Sequence, residues 1–244
     1  MPGQLLGAGN MAEVFLEGGH VLKLYRAGVG PAGPAAEIVA MAVAAEHGLP
    51  VPAVIALRQH EGRWGIAMSR AEGVPLAHIG AAGPALVDGA LATMARLQVA
   101  MHGVRDARLP PLKPRLAERI GRAPELGEAR RAELRAQLAA LPDGQALCHG
   151  DFHPLNLIGA ADGRVTIIDW ADATTGPAAA DACRSYLILL PVAPDVAKAY
   201  LDAYVWAAGV TRQAILAWLP CLAAARLCEG IADQADLLLE LAAR

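Results

Sequence analysis

Cysteine is sparse in this chain. The 244 residues hold four, Cys148, Cys183, Cys221 and Cys228, and none forms a C-x-x-C pair. Neither a disulfide framework nor a cysteine-ligated zinc site is expected, and a reduced cytoplasm is the default compartment. Long apolar runs are missing as well. The longest, Tyr186 to Ala193, is short and holds Pro191, whereas a membrane helix needs roughly 18 apolar residues or more. Residues 1 to 10 lack a basic stretch followed by an apolar core, so no signal peptide is expected. Basic excess is absent too. A net charge of -3 and a pI near 6.2 argue against a nucleic-acid or anionic-membrane partner. There is no internal repeat and no low-complexity tail. What remains is 55% hydrophobic and 18% charged, the make-up of a globular chain rather than a disordered one. Much of that apolar share is alanine, so the mean hydropathy of +0.35 overstates how greasy the chain is. At 25.3 kDa it suits one large domain or two small lobes.

The first seventy residues read as strands around one helix. Residues 4 to 9 start extended and run into glycines. Glu13 to Leu16 and Val21 to Tyr25 are β-like runs separated by Gly18-Gly19, a hairpin signal. Good helix formers at 35 to 47 predict a helix stopped by Gly48 and Pro50. Val51 to Leu57 and Trp64 to Met68 predict two more strands around Glu61-Gly62. Residues 69 to 84 are rich in turn formers and read as a connector. Helices then dominate, at 86 to 101, 129 to 141, 178 to 190, 195 to 208, 212 to 229 and 233 to 243. A proline-rich loop is expected at 109 to 114 and a strand at 165 to 168. In the helix at 129 to 141, Arg130, Arg131, Glu133 and Arg135 are expected to face solvent.

Chemistry concentrates in Leu147 to Ile158, LCHGDFHPLNLI, which holds His149, Asp151 and Asn156. Beyond it an apolar strand, Ile167-Ile168, ends in Asp169-Trp170. Asn156 and Asp169 offer the hard oxygen ligands that magnesium prefers, and Asp151 is left to take a proton from an attacking hydroxyl. Two other readings stand beside this one. A His-x-Asp segment commonly makes turn or capping bonds, and His149, Asp151 and His153 could ligate a transition metal in a hydrolase. A second signal is GAGNMAEV at 7 to 14. It joins two strands rather than a strand and a helix, which disfavours a Rossmann fingerprint. Such a hairpin can be a plain turn, or its backbone N–H groups can cover a polyphosphate. Lys23 is the only charge in the next apolar strand. It either snorkels from an edge strand or needs a partner, since an isolated buried ammonium is costly. Glu37 on the first helix is a candidate partner or an ordinary exposed carboxylate, like Glu46 on the same helix.

The order of these features is that of the protein-kinase signature set: glycine hairpin, strand lysine, helix glutamate, connector, H-x-D-x-x-x-x-N, strand aspartate. His149-Gly150-Asp151 stands where a kinase has His-Arg-Asp, and Asp169-Trp170 where it has Asp-Phe-Gly. With both departures the chain resembles the aminoglycoside phosphotransferase family, whose loop reads H-G-D-[FL]-H-P-x-N and whose later strand reads I-D-W. The resemblance takes in GLPVPAV at 48 to 54 and IIDWADA at 167 to 173. It implies an α+β, bilobal, protein-kinase-like fold, with a small β-rich N-lobe holding one helix and a larger, mainly helical C-lobe. Residues 1–68 would be the nucleotide-binding lobe, 69–74 the hinge and 75–244 the catalytic and acceptor-binding lobe. It implies a kinase that moves the γ-phosphate of ATP or GTP, with Mg2+, to a hydroxyl of an aminoglycoside-like or other small molecule.

Carried over by position, Gly7, Gly9, Asn10 and Val14 would cover the nucleotide, and Lys23, oriented by Glu37, would contact its phosphates. Met68 and the backbone of Ser69 to Ala71 would meet the adenine. Asp151 would be the base, His149 a brace for its loop, and Asn156 and Asp169 the magnesium ligands. Two positions depart from the family pattern: Leu155 replaces a glycine, and Pro177-Ala178 follow Gly176 where an acidic residue is usual. Asp181 matches the family's later aspartate and is read as structural, capping a helix or bracing the loop. The chain is also short for the family in the regions that build the acceptor pocket, which argues against a large antibiotic. A polycationic acceptor would need an acidic pocket, and Asp172, Asp195, Asp202, Glu229 and Asp233 are as readily solvated helix charges. Arg226 and Glu229 either reach the cleft or form a structural pair. Three function classes remain: the small-molecule kinase, a nucleotide-binding pseudo-enzyme, and the metal-dependent hydrolase.

Overall fold

The computed structural model describes residues 3–80 and 83–244. Met1, Pro2 and residues 81 and 82 of the expected connector lie outside it. Five antiparallel strands form the first sheet: β1 (Gln4–Ala8), β2 (Ala12–Glu17), β3 (His20–Tyr25), β4 (Val54–His60) and β5 (Arg63–Ser69), in the order β1-β2-β3-β5-β4. The turns follow the glycines. Gly18 and Gly19 carry φ of 55° and 89° in the β2–β3 turn, a region that costs a residue without Cβ little. One helix, α1 (Ala32–Glu46), crosses between β3 and β4 and buries Glu37, Ala40, Met41, Val43 and Ala44. It starts three residues before the expected boundary, with Pro34 in its first turn, where a missing N–H is harmless. The strand expected from Val51 starts only at Val54. Pro50 and Pro52 have no N–H for the ladder, and the Pro50 carbonyl instead accepts a 2.7 Å bond from the Ile167 amide.

The expected connector is partly ordered into β6 (Val74–Pro75) and α2 (Leu76–Gly80). Strand β6 pairs with β8 (Leu157–Gly159), which pairs with β9 (Val165–Ile167). Gly73 makes that crossing with φ 111°. A Cβ there would lie 2.0 Å from the Gly159 carbonyl oxygen. Helices build the rest: α3 (Pro84–His102), α4 (Leu112–Arg122), α5 (Glu128–Ala140), α6 (Ala178–Leu189), α7 (Pro194–Ala208), α8 (Arg212–Leu216), α9 (Leu219–Arg226) and α10 (Ala235–Ala242). A short pair, β7 (Ala146–Cys148) with β10 (Thr174–Gly176), closes the floor under the Asp151 loop. The chain is therefore α+β, sheet first and helices after. Trp170, Trp218, Tyr200 and Phe152 are the largest fully buried side chains, all in the helical part. Among the described residues no single helix is long and apolar enough to cross a membrane.

Three expectations change. The loop at 109 to 114 gives way at Leu112 to α4, because Pro114 falls in the first turn, and Leu112, Leu116 and Ile120 form a buried stripe. The single helix expected from 212 to 229 is broken into α8, α9 and a final 3-10 turn, with Pro220 starting the second piece. The arginines of α5 do not simply face solvent. Arg130 donates to the Ala242 carbonyl, Arg131 to that of Gly121 and Arg135 to that of Ala117, tying α5 to α10 and α4.

Candidate active site

Lys23 lies on β3, an interior strand, so its side chain does not snorkel past an edge. It is only 8% exposed, and Glu37 is 1% exposed. Its Nζ donates to Glu37 Oε1 at 2.8 Å and to Asp169 Oδ1 at 2.6 Å. Burial works against the ammonium, but the two carboxylates hold its pKa above the usual lysine value. Glu37 is itself fixed from two other sides. Its Oε2 accepts from the Tyr25 hydroxyl and its Oε1 from the Trp170 amide at 3.2 Å. One helix, one strand and the Asp169 turn are thus locked through a single buried ion pair. Removing one partner of such a pair typically costs about 3–5 kcal/mol, because the other is stranded.

The Asp151 loop is built on burial and backbone strain. His149 is fully buried. Its Nε2 donates to the Ile168 carbonyl at 3.1 Å, its Nδ1 accepts from the Asp151 amide at 3.3 Å, and its ring packs on Phe152 and Trp170. Burial lowers its pKa, and this pattern needs the neutral ring with the proton on Nε2. Gly150 sits at φ 80°, and a Cβ there would come within 2.6 Å of the Asp172 carbonyl oxygen. That contact is why a glycine separates the histidine and the aspartate. Asp181, 2% exposed, accepts from the Gly150 amide at 2.7 Å, from Gln98 at 2.9 Å and pairs with His102 at 3.0 Å. It therefore braces the loop, and it makes no helix-capping bond.

Asp151 Oδ2 meets His153 Nε2 at 3.3 Å and accepts from Asn156 Nδ2 at 2.9 Å. Burial works to raise the Asp151 pKa, but the bond and charge of His153, and beyond it the Arg184 guanidinium, hold it well below the carboxylate range. It is a carboxylate at neutral pH, able to accept a hydrogen bond from a hydroxyl. All the hydrogen bonds of the Asn156 side chain use Nδ2, which leaves Oδ1 as its donor atom for a cation. The Asn156 carbonyl accepts from the Ile168 amide at 3.0 Å, so Asn156 and Asp169 stand at one strand end. Asp169 itself is in the left-handed region, φ 64°, a strained setting for a residue with a Cβ. Two hard oxygen donors beside Asp151 suit Mg2+. They do not suit the transition-metal site: both nitrogens of His149 are engaged inward, and no group of three His, Cys, Asp or Glu side chains converges among the described residues. The hydrolase reading falls on that geometry.

The glycine segment forms the β1–β2 hairpin, with Gly7 opposite Val14 and Val14 opposite Lys23 on the neighbouring strand. Gly9 uses its own amide on the Ala12 carbonyl at 2.8 Å, so that N–H is not open to a phosphate, and Asn10 is exposed in the turn. Met68 is buried beside Val21 and Val54. The Ser69 amide is bonded to the Ala53 carbonyl and its hydroxyl accepts from the Ala53 amide, so Ser69 belongs to the sheet. Ser69, Arg70, Ala71 and Glu72 do line a cleft of about 730 Å³, but its other walls come from Gly48 and Pro50–Pro52, Leu97, Ala160 and Arg164–Thr166. Lys23 and Met68 are not among them.

Sequence reasoning missed a cluster beside Asp151. Arg115 and Arg119 of α4 both hold Asp172 Oδ1, and Arg119 reaches Glu229 at 3.7 Å. Arg184 of α6 donates to the Gly150 carbonyl at 3.1 Å and to Glu229 at 2.6 Å. Arg226 donates to Glu229 at 2.9 Å, so the two reach the cleft as a pair. The i, i+4 apolar stripe Leu112, Leu116, Ile120 was the available signal for α4, hidden by Pro110, Pro111 and Pro114. Of the five acidic residues weighed for an acceptor pocket, Asp172 and Glu229 stand here, with Asp181 beside them. Asp195 pairs with Lys198 and Asp202 with Arg212 on the surface, and Asp233 is exposed.

No curated protein sequence matches the chain. Among solved structures, an aminoglycoside-3'-phosphotransferase of type VIII superposes with a TM-score of 0.68 at 22% identity, over 94% of each chain. Choline kinase LicA from Streptococcus pneumoniae gives 0.67 at 16%, over 96% of this chain and 85% of that one. Aminoglycoside phosphotransferase APH(3'')-Id from Streptomyces rimosus gives 0.64 at 20%, over 91% and 92%. These likenesses establish a protein-kinase-like fold. The first also spans both chains equally, so chain length carries no argument about acceptor size. Residues 4–218 match the model of the phosphotransferase enzyme family, and the chain belongs to that family, whose members are small-molecule kinases.

Proposed function

We propose that the protein transfers the γ-phosphate of ATP or GTP to an alcohol hydroxyl of a small molecule in a magnesium-dependent reaction. One observation carries the reading: Lys23 is held between Glu37 and Asp169, with Asn156 and Asp151 at the same strand end. Lys23 meets the nucleotide phosphates, and Glu37 keeps it aimed. Asn156 Oδ1 and the Asp169 carboxylate would hold Mg2+, which when bound would neutralise phosphate charge. Asp151 accepts the hydroxyl proton of the acceptor and orients its oxygen for attack. His149 acts through the loop backbone and not as an acid. The amides and carbonyls of residues 70 and 71, with Met68 and Val14, receive the base. Phosphoryl transfer asks mainly for positioning and charge neutralisation, so this small set suffices. Other kinases of this fold support a nucleotide donor, since APH(3'')-Id is described with ADP and streptomycin. Four free cysteines, three of them buried, agree with a reduced cytoplasmic setting.

Nucleotide-dependent thermal stabilisation tests the reading. Mg-ATP or Mg-GTP raises the melting temperature, and Asp169→Ala removes most of the rise. Absence of a shift with either nucleotide, at millimolar concentration, overturns the proposal.

A further inference from the structure

The walls of a small cavity behind Gly150 say what kind of acceptor fits. Four guanidiniums from three helices face it: Arg115 and Arg119 from α4, Arg184 from α6 and Arg226 from α9. Three carboxylates share it, but Asp181 is turned to the Gly150 amide, Gln98 and His102. Asp172 and Glu229 are left to serve all four arginines. Four guanidiniums against three carboxylates leave an excess of one positive charge, in a place where Arg184 and Arg226 are 8% and 7% exposed. Burial chiefly lowers the pKa of Arg115 and Arg226; Asp172 opposes it at Arg115, ahead of the repulsion from Arg119 and Arg184, and at Arg226 the Arg184 guanidinium adds to it against Glu229 and Asp151. Arg119 is the least engaged, with one bond at 3.0 Å to Asp172 and a contact at 3.7 Å to Glu229. The cavity is also next to the chemistry. Arg184 holds the Gly150 carbonyl, and the charge of Asp151 is felt at both Arg184 and Arg226. Its volume, about 30 Å³, admits one small group and not a sugar ring.

We infer that the acceptor is a small hydroxyl compound carrying an oxyanion, a carboxylate or a phosphate, which seats between Arg119 and Arg226 while its hydroxyl faces Asp151. This rests on the kinase reading above and narrows it. A polycation or a quaternary amine meets an arginine wall here and is repelled, whereas guanidinium forks match carboxylate and phosphate oxygens in pairs.

A matched series of three-carbon alcohols tests the inference: glycerol 3-phosphate, glycerate, glycerol and 3-amino-1,2-propanediol. Binding to the full chain with Mg-ADP is followed by ligand-observed NMR, and transfer from Mg-ATP is measured in parallel. We expect one anion to bind about 10-fold or more tighter than glycerol and the amine, the worth of one charged hydrogen bond or more. Raised salt should weaken that preference. Which anion wins distinguishes a phosphate from a carboxylate. Arg119→Gln should collapse the selectivity, and Arg119→Lys should retain part of it, with folding of both checked by stabilisation with Mg-ATP. Equal or tighter binding of glycerol or the amine, no anion binding, or selectivity untouched by Arg119→Gln each overturns the inference. Failure of Mg-ATP to stabilise the wild-type chain overturns the kinase reading instead, so the two failures are separable.

Discussion

Gly150 shows how much one missing atom decides. Its φ of 80° and its approach to Asp172 leave no room for a side chain, so Gly150→Ala should destabilise the fold by on the order of 1–3 kcal/mol. Urea unfolding measures that, and turnover should fall with it, because Asp151 is the next residue. Asp151→Asn is the complementary change. It keeps the shape and the link to Asn156 but removes the proton acceptor. Phosphoryl transfer should drop by roughly 10²–10⁴-fold, while stabilisation by Mg-ATP persists. A turnover number left intact would remove Asp151 from the role of base. Both residues could be singled out in the sequence, since HGDFHPLN is a compact signal. The strain at Asp169 could not, because no residue type announces a left-handed aspartate.

Helix α4 is where local signals misled and packing decided. Three prolines within five residues read as loop, yet Pro110 and Pro111 precede the helix and Pro114 occupies its first turn. The stripe of Leu112, Leu116 and Ile120 then docks on α9 and the 3-10 turn after it, and this sets Arg115 and Arg119 toward Asp172. Leu116, 4% exposed, is the middle of the stripe. Leu116→Ala should cost about 2–5 kcal/mol in chemical denaturation. If the α4 arginines seat the acceptor as proposed, it should also raise the acceptor KM more than the nucleotide KM. Strand β4 shows the opposite case. Its existence is visible in the sequence, and the whole strand is shifted three residues along, from the expected Val51–Leu57 to Val54–His60, displaced by two prolines.

Across the whole molecule, the Asp181 network joins α3, α6, α7 and the Asp151 loop. Gln98, His102 and the Gly150 amide converge on its carboxylate, and Tyr204 and Tyr200 back His102 and Gln98. Burial works to raise the Asp181 pKa, but these partners hold it below the usual carboxylate value. A carboxyl lowered on folding adds stability that is complete above its unfolded pKa, about 3.9, and is lost as pH falls through the folded value. The melting temperature should therefore decline steeply below about pH 4. Asp181→Asn should lower it at pH 7, by the equivalent of about 2 kcal/mol, and flatten the acid limb. An unchanged acid limb in that variant would show that Asp181 does not govern it.

The order of the reactive residues along the chain was enough to name the fold class and to collect Lys23, Glu37, Asp151, Asn156 and Asp169 as one set. Each sits in a short motif whose residue types serve the chemistry directly. Short β-like runs and stops at glycine and proline marked most elements, because these are near-neighbour effects. What could not be read was contact between segments far apart. The Lys23–Asp169 bond spans 146 positions, the use of Ser69 by the sheet depends on Ala53, and the four arginines come from three helices. The sign of the charge around the cavity beside Gly150 is a sum over those segments in space, and a linear count of acids and bases, -3 for the whole chain, points the other way.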